Sequence, residues 1–130
     1  MILRLLFACL TLSAFAAEPG LVRSEFIFET NPVPSCHATT IVEARDGTLV
    51  AAWFAGEAEG KPDVSIWTAR LVDGKWSAPV KVAEGTQPDG KRFPCWNPVL
   101  FQPKEGPMQF YYKVGPNPVE WWGLLRLSDD

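Results

Sequence analysis

The sequence has little basic charge, one histidine and few cysteines, and these shortages exclude whole classes of function. Its 130 residues carry 12 Lys and Arg against 15 Asp and Glu, a net charge of −3, with no basic run. Without a basic patch the chain has no electrostatic means of holding phosphates, so we expect no nucleic acid partner. One histidine among scattered acids gives no ligand spacing, and we predict neither metal nor cofactor.

Amphipathic helical patterns are also missing after residue 17. Twelve prolines and ten glycines separate short apolar runs, a pattern typical of turns and strands. Because 47% of the residues are apolar and 21% are charged, the composition is that of a folded globular protein. The sequence therefore predicts an all-β domain.

The first 16 residues have a different character. Met1–Arg4 carries a positive charge, Leu5–Phe15 is an almost unbroken apolar run, and Ala14-Phe15-Ala16 has small residues where signal peptidase reads. The run is too short to span a bilayer as a stable helix. We predict a signal peptide at residues 1–16 and a mature domain at 17–130, which is secreted or periplasmic and has no membrane partner.

Two cysteines, Cys36 and Cys95, belong to the predicted mature domain. In an exported protein such a pair can form a disulfide. The two residues can equally be buried thiols that pack as small hydrophobic side chains. The sequence leaves both possibilities open.

Residues 39–82 alternate between short β-rich runs and tight turns. Strands are predicted at 39–43, 48–54, 63–70 and 76–82. Asp46-Gly47 and Asp73-Gly74 are strong signals for hairpin turns. Four successive antiparallel strands joined by short connections predict one meander sheet.

The next segment repeats the first at an offset of 59 residues without a gap. Residues 36–42 align with 95–101, Asp46-Gly47 with Glu105-Gly106, and 52–56 with 111–115, and Arg70 recurs as Arg126 after a loop three residues shorter. A four-stranded repeat of this length is typical of a β-propeller blade. Two blades alone leave large apolar faces exposed, so we interpret the chain as an N-terminal fragment, about two blades, of a larger propeller.

Residues 37–56, HATTIVEARDGTLVAAWFAG, resemble the first blade of sialidases, with a strand, a DGTL turn and a second strand that ends in glycine. Ser128-Asp129-Asp130 is similar to the opening of an Asp box (Ser-x-Asp-x-Gly-x-x-Trp), and residues 70–76 to a shortened form. The segments PSCHATTIV and FPCWNPVLF are similar to those of a subgroup of bacterial predicted neuraminidases. The resemblance covers roughly residues 30–130. It implies a six-bladed sialidase-like β-propeller and a glycoside hydrolase of the exo-α-sialidase type, which removes a terminal sugar from glycans.

The same resemblance implies a catalytic site. Sialidases hold the substrate carboxylate with arginines, because a guanidinium matches a carboxylate bidentately. In this sequence the first two arginine positions are occupied by His37 and Glu57. Asp63, six residues after Glu57, is at a spacing similar to that of the catalytic acid/base. The alternative is that Asp63 only opens a strand after Pro62.

Four further assignments come from position in the predicted blades. His37 is a candidate acid/base or substrate ligand on the first strand, with a buried structural histidine as the alternative. Trp96 and Asn97 take the matching place in the second repeat, where an indole can stack on a sugar ring and an amide can bond hydroxyls. Packing of Trp96 between blades is the alternative. Lys113 aligns with Phe54 and is a candidate ligand for an anionic sugar.

Three functions remain open. The first is a sialidase-type hydrolase with Asp63 as acid/base, and the second is a propeller glycosidase for a non-sialic sugar, in which His37 and Glu57 replace the carboxylate clamp. The third is a non-catalytic propeller that binds glycans or proteins. Trp121 and Trp122, in the loop equivalent to the one that holds Asp63, meet either a ligand or a neighbouring blade. The expected partner of the enzyme is a glycan substrate.

Overall fold

The computed structural model describes residue 20, residues 22–30 and residues 32–129. The predicted signal peptide, residues 1–16, lies outside them. The strands of the described part are β1 (Ser35–Glu43), β2 (Leu49–Gly56), β3 (Ser65–Val72), β4 (Lys75–Trp76), β5 (Val80–Ala83), β6 (Gly85–Thr86), β7 (Arg92–Phe93), β8 (Cys95–Phe101), β9 (Met108–Val114) and β10 (Trp122–Ser128). None of these described residues is helical, so this part of the chain offers no helix that could cross a bilayer. The all-β prediction is confirmed.

The first sheet is an antiparallel meander in the order β1-β2-β3, with β4 and β5 both paired to β3. Its turns lie where the Asp-Gly pairs predicted them. The Asp46 carboxylate accepts a hydrogen bond from the Thr48 backbone N–H at 2.9 Å, and this bond lowers the pKa of Asp46. At the second turn both Asp73 and Gly74 have positive φ, as a two-residue hairpin loop of type I′ requires.

Several predicted strand limits are wrong. The first strand begins at Ser35 rather than Thr39, and the second and third end two residues later than predicted, at Gly56 and Val72. The third strand begins at Ser65 rather than Asp63, because Asp63 belongs to the preceding loop. The fourth, predicted as continuous over 76–82, is divided into β4 and β5. The strand is interrupted because Pro79 has no backbone N–H to donate to β3. In addition, the Arg70 backbone N–H donates to the Ser77 hydroxyl at 3.1 Å instead of to a backbone carbonyl of the neighbouring strand.

The second sheet, β8-β9-β10, repeats the first in register as well as in sequence. His37 pairs with Phe54, and Trp96 pairs with Lys113. Each ladder then shifts register at the same place, between His37 and Thr40 in one sheet and between Trp96 and Val99 in the other. The 59-residue repeat of the first two strands is therefore present in the backbone. A short ribbon, β6-β7, joins the two sheets.

The predicted correspondence of Arg70 with Arg126 is wrong. Arg70 pairs with Val50, and the residue 59 positions after Val50 is Gln109, which pairs with Leu127. Arg70 therefore corresponds to Leu127, because the loop before the third strand is two residues shorter in the second repeat, not three. Neighbouring residues of a strand point to opposite faces of the sheet. When the two repeats are superposed, Arg70 and Arg126 therefore point to opposite faces.

The two sheets stack face to back, so that equivalent faces of the two repeats point in the same direction. Val50, Ala52 and Phe54 of β2 share one core with Phe110 and Tyr112 of β9. The residues of β9 that correspond to Val50, Ala52 and Phe54 point away from this interface, since they alternate with the buried ones. One face of the first sheet therefore packs on the opposite face of the second, as successive blades of a propeller do.

The outer face of the first sheet is covered by the segment before β1. Ile27, Phe28 and Val33 pack on a second core cluster around Trp53, which is 1% exposed. The Phe28 ring lies 5.3 Å from the Trp53 ring. The segment before β1 therefore covers one face of the first sheet. The equivalent face of the second sheet, which carries Phe110 and Tyr112, is covered by the first sheet.

The face of the second sheet that points away from the first sheet is open. Five large apolar side chains on it are between 40% and 60% exposed: Val99, Phe101, Tyr111, Leu125 and Leu127. So continuous an apolar face is unusual on a protein surface and marks a site of contact with another element. We call these five residues the open face.

Cys36 and Cys95 are free thiols, so they form no disulfide in the structure, and the alternative of a buried thiol holds for Cys95 only. Cys36 is exposed, whereas Cys95 is fully buried at the start of β8. Burial raises the pKa of the Cys95 thiol to about 12, because a thiolate would lose its hydration there.

Candidate functional site

The candidate site lies where β1 and β8 begin and where β2 and β9 end. The backbone is bulged here in both repeats, and the residue after the last paired position has positive φ: Ala38 at 53° and Asn97 at 30°. A bulge adds a residue to one strand and re-aims the side chains next to it. All six residues predicted from the sequence lie at this end or in the loop that follows β2.

His37 is exposed and lies flat on the core. Its ring stacks on Phe54, the residue opposite it in the ladder, with ring centroids 5.7 Å apart and planes 20° apart. Phe54 is 3% exposed, so one face of the imidazole is fixed on a rigid surface. The alternative of a buried structural histidine does not hold, whereas a role in catalysis or binding stays a prediction.

Asp63 closes the loop that follows β2. Its Oδ2 accepts a hydrogen bond from the Glu57 backbone N–H at 2.7 Å, which ties the two ends of the loop together. The turn inside is held by the Lys61 N–H on the Ala58 carbonyl, at 3.1 Å. Asp63 and Glu57 are both exposed, so their carboxylates lie at the surface of the site.

Gly56 makes this closure possible. A Cβ at residue 56 would lie 2.9 Å from Oδ2 of Asp63 and 2.9 Å from the Cα of Val64. Both distances are shorter than van der Waals contact allows, and one partner is backbone that cannot turn aside. The glycine that ends β2 is therefore a steric requirement for the position of Asp63.

Trp96 is packed inside the site rather than exposed. Its side chain contacts Phe54 edge-on at 6.1 Å and Trp121 at 5.9 Å between centroids, and the residue is 4% exposed. The indole N–H donates to the Gly115 carbonyl at 2.9 Å, so its polar group is satisfied internally. The geometry matches the alternative of packing between sheets, and sugar contact through Trp96 stays a prediction.

Lys113, Asn97 and Trp121 form the exposed part of the site in the second repeat. The Lys113 ammonium lies 5.4 Å from the centre of the Trp121 ring, a cation–π distance, and 3.5 Å from the Asn97 carbonyl oxygen. Asn97 is exposed and Trp121 is partly exposed. A cation, an amide and an indole surface are therefore presented side by side.

The two halves of the site meet over Trp96. Gly60, in the loop between Glu57 and Asp63, lies against the outer edge of the indole, where a Cβ would be 3.6 Å from Cη2. Trp121 contacts the same indole. The structure therefore brings the carboxylate loop of the first repeat and the Lys113 cluster of the second to one shared residue.

Sequence analysis missed Arg92, which contacts the main chain of Asp63. The Arg92 Nη2 lies 3.1 Å from the Asp63 carbonyl oxygen and 2.9 Å from the Ser65 hydroxyl. It also pairs with the Glu84 carboxylate at 3.2 Å. The only signal in the sequence was an arginine in the connection between the two repeats, and nothing in its spacing pointed back to Asp63.

Other features of the described residues lie apart from this site. A cavity of about 500 Å³ lies at the opposite end of the sheets, between the two hairpin turns, and includes Arg45, Asp46 and Gln102 in its lining. None of the six predicted residues lines it. Within the described ranges no three His, Cys, Asp or Glu side chains are grouped as a metal site would need.

Comparison with known proteins agrees with this repeat architecture. Neither the curated proteins nor the solved structures gave a match to the chain. The model of the BNR repeat-like domain family matches residues 47–130, which is more than half of the sequence and includes β2 to β10. The chain therefore belongs to the BNR repeat-like domain family.

Proposed function

We propose that the protein is a secreted, sialidase-like glycoside hydrolase that removes a terminal sugar from glycans, and that its fold is a β-propeller to which these two sheets contribute successive blades. Sialidase-like glycosidases contain BNR repeats, and the parallel stacking of the two sheets supports the blade arrangement. The resemblance to bacterial predicted neuraminidases and the predicted signal peptide support the finer assignment.

One observation carries the proposal: the loop that Asp63 closes lies against Trp96 through Gly60, and Trp121 of the Lys113 cluster contacts the same indole at this end of the sheets. Glycoside hydrolysis needs a carboxylic acid beside the glycosidic oxygen and a surface that fixes the sugar ring. Asp63 supplies the acid, held in place through Glu57, and His37 is a second proton carrier on the same edge. Asn97 and Lys113 supply polar contacts for the sugar.

In this mechanism the Asp63 carboxyl group donates a proton to the leaving oxygen as the glycosidic bond breaks. The leaving group departs as a neutral alcohol rather than an alkoxide. The Asp63 carboxylate that remains can then take a proton from the water that completes hydrolysis. The bond from the Glu57 N–H to Oδ2 fixes the direction of the carboxyl group throughout.

A second candidate, a propeller glycosidase for a non-sialic sugar, is favoured by the charges at the arginine positions. His37 and Glu57 occupy these positions, and a negative Glu57 side chain repels a substrate carboxylate. Lys113 is the cation that we assign to the site, and its contact with Trp121 orients it for a single anionic or hydroxyl group.

The test is a panel of glycosides that share one aglycone and differ in the terminal sugar, incubated with the complete secreted protein. Release of sialic acid supports the sialidase assignment. Release of another sugar supports the second candidate and overturns the first. If no glycoside is cleaved while immobilised glycans are bound, the protein is a non-catalytic propeller and the hydrolase proposal is wrong.

A further inference from the structure

Arg92 lies on the ribbon between the two sheets and holds the main chain at Asp63. We propose that Arg92 is a positioning residue, which fixes the loop that carries the catalytic carboxylate. The catalytic part of this inference rests on the proposed function. The positioning part does not, because it concerns the contacts of the loop alone.

The first link is to the backbone. The Asp63 carbonyl oxygen lies within hydrogen-bond distance of two donors, Arg92 Nη2 at 3.1 Å and the Ser65 hydroxyl at 3.0 Å. The Ser65 hydroxyl in turn accepts from Arg92 at 2.9 Å. Ser65 is 1% exposed, so the hydroxyl at the centre of this network is shielded from water, which favours a fixed geometry for its two hydrogen bonds.

The second link is to the carboxylate. The side chain of Asp63 closes the loop through the Glu57 N–H, and Gly56 leaves no spare room behind it. A shift of the Asp63 main chain therefore displaces its carboxyl group from the Glu57 N–H, because one short side chain joins the two. Arg92 thus controls the carboxylate without touching it.

The guanidinium is itself held in place. Glu84 pairs with Arg92 at 3.2 Å, and the side chain of Arg92 is only 32% exposed. Its Nε is buried and makes no hydrogen bond in the described part of the chain. The polar contacts of Arg92 are therefore made by its terminal nitrogen, Nη2, which reaches Asp63, Ser65 and Glu84.

The position of Arg92 also links the two repeats. β7 ends at Phe93, and the backbone N–H of Cys95, where β8 begins, donates to the Val64 carbonyl at 3.0 Å. Two consecutive carbonyl groups therefore accept hydrogen bonds from this region. The Val64 carbonyl accepts from the first residue of β8, and the Asp63 carbonyl accepts from the Arg92 side chain. These two bonds hold the end of the loop that follows β2 against the ribbon and against the start of the second sheet.

The experiment compares four variants of the complete protein: Arg92→Met, Arg92→Lys, Ser65→Ala and, as a matched control, Arg45→Met. Arg45 also bonds a carbonyl, that of Gly106 at 2.6 Å, but at the opposite end of the sheets. Amide hydrogen exchange at Glu57 and at the interior of β2 is measured together with kcat and KM. The exchange readout does not depend on activity.

We expect Arg92→Met to raise the exchange rate of the Glu57 amide about tenfold, because the variant loses roughly one hydrogen bond that holds the loop. The exchange rates of the amides inside β2 should change less than about twofold. Ser65→Ala should raise Glu57 exchange less, and Arg45→Met should leave it unchanged. On turnover, Arg92→Met should lower kcat about tenfold with KM nearly constant, and Arg92→Lys should recover part of the loss.

Unchanged exchange at Glu57 in both Arg92→Met and Ser65→Ala overturns the positioning role, whatever the activity. If Arg92→Met does not fold, Ser65→Ala decides the question alone. If Glu57 exchange rises but the wild-type protein cleaves no glycoside, positioning stands and the proposed hydrolase function fails.

Discussion

Ala38 and Asn97 are 59 residues apart in the chain and have the same unusual backbone, with φ of 53° and 30° at the bulge of equivalent strands. Asparagine adopts positive φ readily, but alanine does so at a cost of about 1 kcal/mol. The bulge is therefore a feature of the repeat itself, kept even where the residue does not favour it. It lies next to His37 in one sheet and Trp96 in the other, where it sets the shape of the candidate site.

Ala38→Gly should stabilise the protein. Glycine removes the penalty of positive φ, and the gain exceeds the loss from a more flexible unfolded chain by about 0.5 kcal/mol. Urea unfolding measures the change. Ala51→Gly is the control, since Ala51 lies within β2 and is fully buried, and it should cost about 1 kcal/mol. Equal destabilisation by both variants would contradict the assigned backbone.

Gly56→Ala should destabilise the loop that ends in Asp63. The added methyl group would lie 2.9 Å from both Asp63 Oδ2 and the Val64 Cα, so the loop must shift, at a cost of about 1–3 kcal/mol. Gly123→Ala is matched to it, because Gly123 is also in a strand and has nothing within 4 Å of the added atom. Thermal unfolding compares the two. Similar stability in both variants would mean that Gly56 is not under steric pressure.

The two thiols should react at very different rates. Cys36 is exposed, so alkylation followed by peptide mapping should modify it in the native protein, whereas Cys95 should react only after unfolding. Rapid native modification of Cys95 would contradict its burial.

Cys95 should also make stability depend on alkaline pH. Burial raises the pKa of the folded-state Cys95 thiol from its ordinary value of 9.0 to about 12, so the unfolded state loses its proton first as the pH rises. The contribution is complete below pH 9 and is lost progressively toward pH 12. The free energy of unfolding should fall less steeply across this range in Cys95→Ala than in wild type. Parallel curves would exclude the linkage.

The open face should be a buried contact rather than a solvated surface. By the repeat, it corresponds to the face of the first sheet that packs on the second, so we expect a further sheet of the same kind to cover it. Leu125→Asp should then cost about 3 kcal/mol, because a charge would be buried without a partner. Lys75→Asp, at an exposed position of β4, should change stability by less than about 0.5 kcal/mol. Little effect of Leu125→Asp would show that the face is solvated.

The strands and the repeat could be predicted because their signals are local. Asp-Gly turns, alternating apolar runs and an ungapped offset all depend on neighbours in sequence. The division of the fourth strand was missed because it depends on one hydroxyl, that of Ser77, replacing a ladder bond to Arg70. Alignment of the two repeats matched Arg70 with Arg126, whereas the residue that corresponds to Arg70 is Leu127. The loops before the two third strands differ in length, so this correspondence could be assigned only from the strand pairing.

The site was predicted in position but not in detail. The six candidate residues lie at one end of the sheets because strand order carries them there. The burial of Trp96 and the grip of Arg92 on Asp63 depend on how the second sheet packs on the first, which no local pattern encodes. For both Trp96 and Trp121 the sequence left open ligand contact or packing between blades, and only the structure shows that Trp96 is buried and that Trp121, partly exposed, packs against it.

The most direct test of the account is the leaving-group dependence of Asp63→Asn in the complete protein. A general acid matters most when the leaving group is a poor one, because a good leaving group departs without a proton. We predict that kcat falls at least about a hundredfold for a natural glycan and about tenfold or less for an activated aryl glycoside of the same sugar. Wild-type turnover of the natural glycan by Asp63→Asn, or an equal loss on both substrates, would contradict the assignment of Asp63 as the acid.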